Sequence, residues 1–203
     1  MKSLLALFFG FLFMANAVLA QDRGPDALVR QITEDVLAIV RQDRDIQSGN
    51  TRKAIELVEN KVLPSFNFQR MTSLAVGREW NKANAEQKKR LADEFKTLLV
   101  RTYSNALTSY KNQTVSYKPT RFQPSDSDVV VKTEIIQPGN RPVQLDYTLE
   151  KQADSWKVYD VSVAGVSLVT NYRETFSQEA RANGIDGLIQ MLVNRNKQLE
   201  AKK

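Results

Sequence analysis

The chain has 203 residues, with 29 Lys and Arg, 23 Asp and Glu, and neither His nor Cys. Those absences exclude Ser-His-Asp and Cys-His catalysis, metal sites built on imidazole or thiolate, disulfide staples and a lipid-anchored cysteine. The net charge of +6 is the kind of excess that first suggests nucleic acid, but the N-terminus points to export.

Met1-Lys2 gives a short positive start, Leu4 to Phe13 is almost wholly apolar, and Val18 and Ala20 are small residues before Gln21. That layout predicts a secretory signal peptide over residues 1–20, cleaved after Ala20, with Ala17 as an alternative site. The apolar run is shorter than the ~20 residues that span a bilayer. The expected mature protein is a single domain over 21–203, located in the periplasm. Outside the cytosol, the basic excess suits an anionic membrane surface or an acidic partner rather than nucleic acid. An ordinary solvated surface explains it equally well.

Residues 25–110 read as helical. Pro25 suits a first turn, and Leu28, Ile32, Val36, Ile39 and Val40 follow at helical spacing. Gly49-Asn50 closes this unit and offers a cap to the next, which Pro64 breaks. Phe66 to Val76 leads to a stop at Gly77. Asn84 with Gln87 three residues later forms a capping box before the strongest helix, whose apolar face carries Leu91, Phe95, Leu98, Leu99, Tyr103 and Tyr110.

From 112 to 163 the period changes to two. A first strand falls near Val115 to Pro119. Val129, Val131, Thr133 and Ile135 share one side of the second, and Val143, Leu145, Tyr147 and Leu149 one side of the third. The turns Pro138-Gly139-Asn140 and Ala153-Asp154-Ser155 separate these from a fourth strand, Trp156 to Val163. Short connections imply antiparallel pairing, and one apolar face implies helices on a single side. Residues 166–200 return to helix. Val166, Val169, Tyr172 and Phe176 share a face, Asn183-Gly184 is a stop, and Asp186 is placed to cap a last helix. The predicted fold is α+β: a curved four-stranded antiparallel sheet with helices packed on one face.

Asp126-Ser127-Asp128 is the nearest carboxylate metal candidate, but it lacks the glycine and distal glutamate of a calcium loop and reads as a turn. Paired acids such as Asp93-Glu94 lie on amphipathic helices, and no glycine-rich loop has phosphate-binding spacing. The residues alone therefore lead to an exported α+β protein with apolar helix faces opposed to a sheet.

The segment Trp156-Lys157-Val158-Tyr159-Asp160-Val161-Ser162-Val163-Ala164-Gly165-Val166-Ser167-Leu168-Val169-Thr170-Asn171-Tyr172-Arg173 resembles the signature of the MlaC (toluene-tolerance) family of periplasmic phospholipid-binding proteins. Phe176, Gly184 to Ile189, Phe68, Met71-Thr72, Leu74 to Gly77, Trp80 and the helix around Phe95 to Tyr103 continue the likeness, which covers nearly all of the mature chain. Ala164 departs from it, since relatives often carry an acid there.

The resemblance implies a nuclear-transport-factor-like sheet and an apolar cavity holding acyl chains. It implies no catalysis, and no cofactor beyond phospholipid as cargo. It also implies two docking partners, an outer-membrane lipoprotein-porin complex and an inner-membrane ABC transporter complex, so that the carrier maintains outer-membrane lipid asymmetry. The residues assigned to the lipid are Phe68, Leu74, Leu99, Tyr103, Tyr147, Val163, Val166, Val169, Tyr172 and Leu188, each open equally to a packing role. Trp80 and Trp156 read as structural. Arg173 reads as an exposed helix charge, with a lipid phosphate as the other option. The alternative function is a periplasmic chaperone or adaptor that binds an apolar peptide or partner helix.

Overall fold

A computed structural model describes residues 24–153 and 155–201, so the predicted signal segment lies outside the described residues. Helix α1 (Pro25–Gln42) starts on its proline and buries Val29, Val36 and Val40. The Asp43 carboxylate accepts from the Asp45 and Ile46 amides to open the short α2 (Arg44–Gln47). Asn50 caps α3 (Thr51–Lys61) in the same way. Pro64 then forces a single 3-10 turn, Leu63–Ser65. The chain extends through Phe66 to Asn67, which caps α4 (Phe68–Val76). After the 3-10 turns of Gly77–Lys82, α5 (Ala85–Tyr103) opens on the predicted capping box, with Asn84 and Gln87 bonded reciprocally. A one-turn α6 (Asn105–Thr108) follows.

The sheet has five strands in sequential order, all antiparallel: β1 (Thr114–Tyr117), β2 (Asp128–Ile136), β3 (Val143–Gln152), β4 (Ser155–Val163) and β5 (Val166–Ser167). The expectation of four strands is corrected by β5, and with it the expected helix start at Val166. Ala164 and Gly165 both take positive φ, 50° and 82°. Such a pair makes the two-residue turn that matches strand twist. It folds Val166 back onto Val163, and α7 (Leu168–Ala201) begins only afterwards. Asp160 fixes this junction: its carboxylate accepts from the Ser167 hydroxyl and the Val169 amide. Gly184, at φ 74°, bends α7 where a stop is predicted. Asp186 does not cap the second half; it accepts from the Gln87 side chain at 2.9 Å.

The buried apolar residues form three clusters. The largest lies among α4, α5 and α7, where Phe95 meets Tyr172 and Phe176 edge-on at 5.2 and 5.1 Å. The second covers part of one sheet face and includes Val29 of α1 with Val129, Val131, Leu149, Trp156, Val158 and Val161. The third joins α1, α2 and α3 through Val36, Val40, Ile46, Ala54 and Leu57. The helical cluster meets the sheet along β4. There Phe66 pairs with Val158, and the Asn67 amide donates to the Val158 carbonyl at 2.8 Å.

Candidate functional site

Strand alternation defines an inner face, the one carrying Val129, Val131, Leu149 and Val158. By register it also carries Val115 and Tyr117 of β1, Thr133 and Ile135 of β2, Val143, Leu145, Tyr147 and Lys151 of β3, Trp156, Val161 and Val163 of β4, and Val166 of β5. A bulge at Thr148/Leu149 restores the apolar register beyond it, with Tyr159 as the extra residue of β4. The pattern places no carboxylate on this face.

The two ends of the face differ in cover. At one end Val129, Leu149, Trp156 and Val158 are buried, and Phe122 meets Trp156 edge-on at 6.2 Å. Toward the β2–β3 hairpin the same face opens. Ile135, Leu145, Tyr147 and Val163 are half-buried, Val143 is 41% exposed and Val166 58%. These are large apolar side chains on the face that α1 packs against, where a filled core would leave little accessible surface.

Tyr147 lies on this part of the face, opposite Val131 of β2. It keeps accessible surface, yet burial pushes its phenol up to about 12, with the Tyr117 phenol adding to the shift and the Thr33 hydroxyl opposing it. The Thr33 hydroxyl of α1, which donates to the Val29 carbonyl, lies near Tyr117, whose ring lies 4.0 Å beneath the Arg30 guanidinium. Thr133 donates to the Leu145 carbonyl and presents no free donor.

The ten residues assigned from sequence divide among several places. Tyr147 and Val163 lie on the partly covered end of the inner face, and Val166 pairs with Val163 on β5 rather than lying on a helix. Phe68 opens α4 and stacks on Phe66 at 5.7 Å, at the border of the helical cluster. Leu99, Val169 and Leu188 are buried within that cluster, while Leu74 and Tyr172 are half-buried against it. Tyr103 ends α5 with 41% exposure. The structure therefore brings Tyr147, Val163 and Val166 together and leaves the rest around the helices. It adds Leu28, Phe66, Leu145 and Leu168, partly buried against the sheet cluster. Leu145 was legible, since it shares the period-two side of Tyr147; Phe66 and Leu168 lie at element junctions that no periodicity marks. Arg173 is exposed and donates to the Leu74 carbonyl at 3.0 Å.

On the opposite face, Arg70 of α4 ties the helices to the strands. Its guanidinium pairs with Glu150 of β3 and with Asp128 of β2 (2.8 Å), and lies 3.7 Å over the Tyr159 ring. Helix α4 is thereby held to three strands at once. Asp128, the one acid of the 126–128 turn on a strand, is committed to this ion pair.

These features define an α+β protein built on an open antiparallel sheet, with one apolar face only partly covered by helices. Comparison with known proteins places it further. The model of the MlaC protein family matches residues 30–194, and the chain belongs to that family. It is 24% identical over 180 residues to the intermembrane phospholipid transport system binding protein MlaC of Haemophilus influenzae, covering 87% of this chain and 84% of the relative. It is 27% identical over 167 residues to toluene tolerance protein ttg2D of Pseudomonas putida, covering 80% and 75%. Among solved structures it resembles a phospholipid-binding protein from Ralstonia solanacearum in complex with a phospholipid. That match has a TM-score of 0.81 and 42% identity, over 86% of this chain and 98% of the other.

Proposed function

We propose that this protein is a periplasmic phospholipid carrier, without catalytic activity or cofactor, whose acyl-chain site is a recess over the partly covered inner face of the sheet. The observation that carries the reading is the partly covered apolar face around Leu145, Tyr147 and Val163, in a chain sharing its fold with a phospholipid-bound protein. The ten assigned residues enter it unequally: Tyr147, Val163 and Val166 are proposed to touch lipid, and Leu99, Val169 and Leu188 to hold the frame.

The physical need is clear. A two-tailed phospholipid has roughly 30 methylenes at about 0.8 kcal/mol each, so unaided passage through water faces a barrier on the order of 20 kcal/mol. A dry face removes that barrier. Contacts that are apolar and non-directional keep release possible, because the bilayer offers the same environment. The proposal includes removal of residues 1–20 on export, one domain over 21–203, and shuttling between an outer-membrane lipoprotein-porin complex and an inner-membrane ABC transporter complex.

The test is transfer of a fluorescent phospholipid between donor and acceptor vesicles. The protein accelerates transfer, and Val163→Asp, which puts a charge on the recess wall, abolishes the acceleration while the protein stays folded. A folded wild-type protein that takes no lipid but binds an amphipathic peptide would overturn the carrier and leave an adaptor.

A further inference from the structure

Between the Gly77 turn and the first half of α7 runs a groove of about 620 Å³, lined by Leu74, Arg78, Glu79, Arg173, Ser177 and Arg181 among others. Two of its arginines are held by their Nε atoms alone. Arg173 donates to the Leu74 carbonyl and Arg181 to the Ser177 carbonyl, each at 3.0 Å. A carbonyl accepts such a bond without cancelling the guanidinium charge. Glu79, the acid of the groove, is taken by Lys82 at 2.6 Å. Among the described residues none of the three guanidiniums forms an ion pair, whereas Arg30, Arg70 and Arg101 all do. The groove therefore presents three guanidiniums to which no carboxylate is ion-paired.

We infer that this groove docks an acidic segment of a protein partner. Spacing argues for a chain of carboxylates. Arg173 and Arg181 stand eight residues apart on one helix, about 12 Å along its axis. A single phosphate cannot bridge them, while a segment with acidic residues on successive turns meets both. Shape argues for a protruding segment over a bilayer, since the floor is recessed between two elements. Bidentate pairing of guanidinium with carboxylate supplies the directionality. The inference stands apart from the lipid reading, because the groove lies on the helical cluster and shares no residue with the recess.

The experiment measures fluorescence anisotropy of a labelled alternating Glu-Ala peptide titrated with the full mature protein, lipid cargo in place. Arg78→Glu/Arg181→Glu is compared with Arg44→Glu/Arg90→Glu, which makes the same charge change on α2 and α5. The expected result is salt-sensitive binding that falls at least ~tenfold in the groove variant and less than ~twofold in the control. Arg78→Gln/Arg181→Gln should show an intermediate loss, and circular dichroism and bound lipid should match wild type in all variants. Equal loss in both charge-reversed variants would reduce the effect to net charge and overturn the inference. So would absence of peptide binding, or a groove variant that loses binding to anionic vesicles while keeping the peptide. Protein purified without lipid would contradict the carrier reading and leave the groove result standing.

Discussion

Leu188 and Val163 are both apolar and both were assigned to lipid from sequence, yet their surroundings ask different things of them. Leu188 has no accessible surface and sits among Leu91, Phe95 and Leu192. Leu188→Ala should cost about 2–5 kcal/mol in denaturant unfolding and leave lipid per folded molecule unchanged. Leu145→Glu, on the half-buried recess wall, should cost less stability and remove the lipid. Tyr147 gives a third residue-level test. Its neutral phenol is favoured in the fold, since burial raises it from 10.0 to about 12. Its contribution is therefore complete below about pH 10 and lost as pH rises from there toward 12. Tyr147→Phe should flatten the fall of melting temperature over that range, and an unchanged slope would show that the phenol is not buried.

Among the elements, the hinge between sheet and helices rests on two polar devices. Asp160 joins β4 to the start of α7, and Arg70 joins α4 to β2, β3 and β4. Removing Arg70 takes the only paired cation from Glu150, whose side chain is only 12% exposed, and leaves it the neutral amides of Asn67 and Gln152. Arg70→Ala should cost about 2 kcal/mol and loosen α4, visible as faster amide exchange there. Asp128 lies below its ordinary carboxylate value, held there by the Ser127 hydroxyl, then by the Tyr159 hydroxyl and the Arg70 guanidinium against the opposing effect of burial. A depressed carboxylate stabilises above its unfolded value and loses that contribution as pH falls. Asp128→Asn should accordingly show a shallower loss of stability below about pH 4. Capping residues, Pro64 and the period change near residue 112 made most elements legible in the sequence. The β5 hairpin was not, because Ala164 at positive φ carries no composition signal. Val166 then read as helical from its spacing to Val169, while its backbone pairs with β4.

For the whole molecule, the decisive property is a core in three pieces with a partly covered apolar sheet face beside one of them. Sequence pattern reveals which faces are apolar, because that is local. It cannot reveal whether two apolar faces meet fully, because that depends on where α1 crosses the sheet. Strand alternation therefore marked the apolar face but not how far helices cover it, which needed the tertiary arrangement. The central claim is that this partly covered face holds phospholipid. Native mass spectrometry of the protein purified from cells, followed by solvent extraction, tests it most directly. The account predicts a bound mass that matches phospholipid and disappears on extraction, and that is missing from Leu145→Glu. A folded wild-type protein at its bare polypeptide mass, taking up no lipid from vesicles, would contradict it.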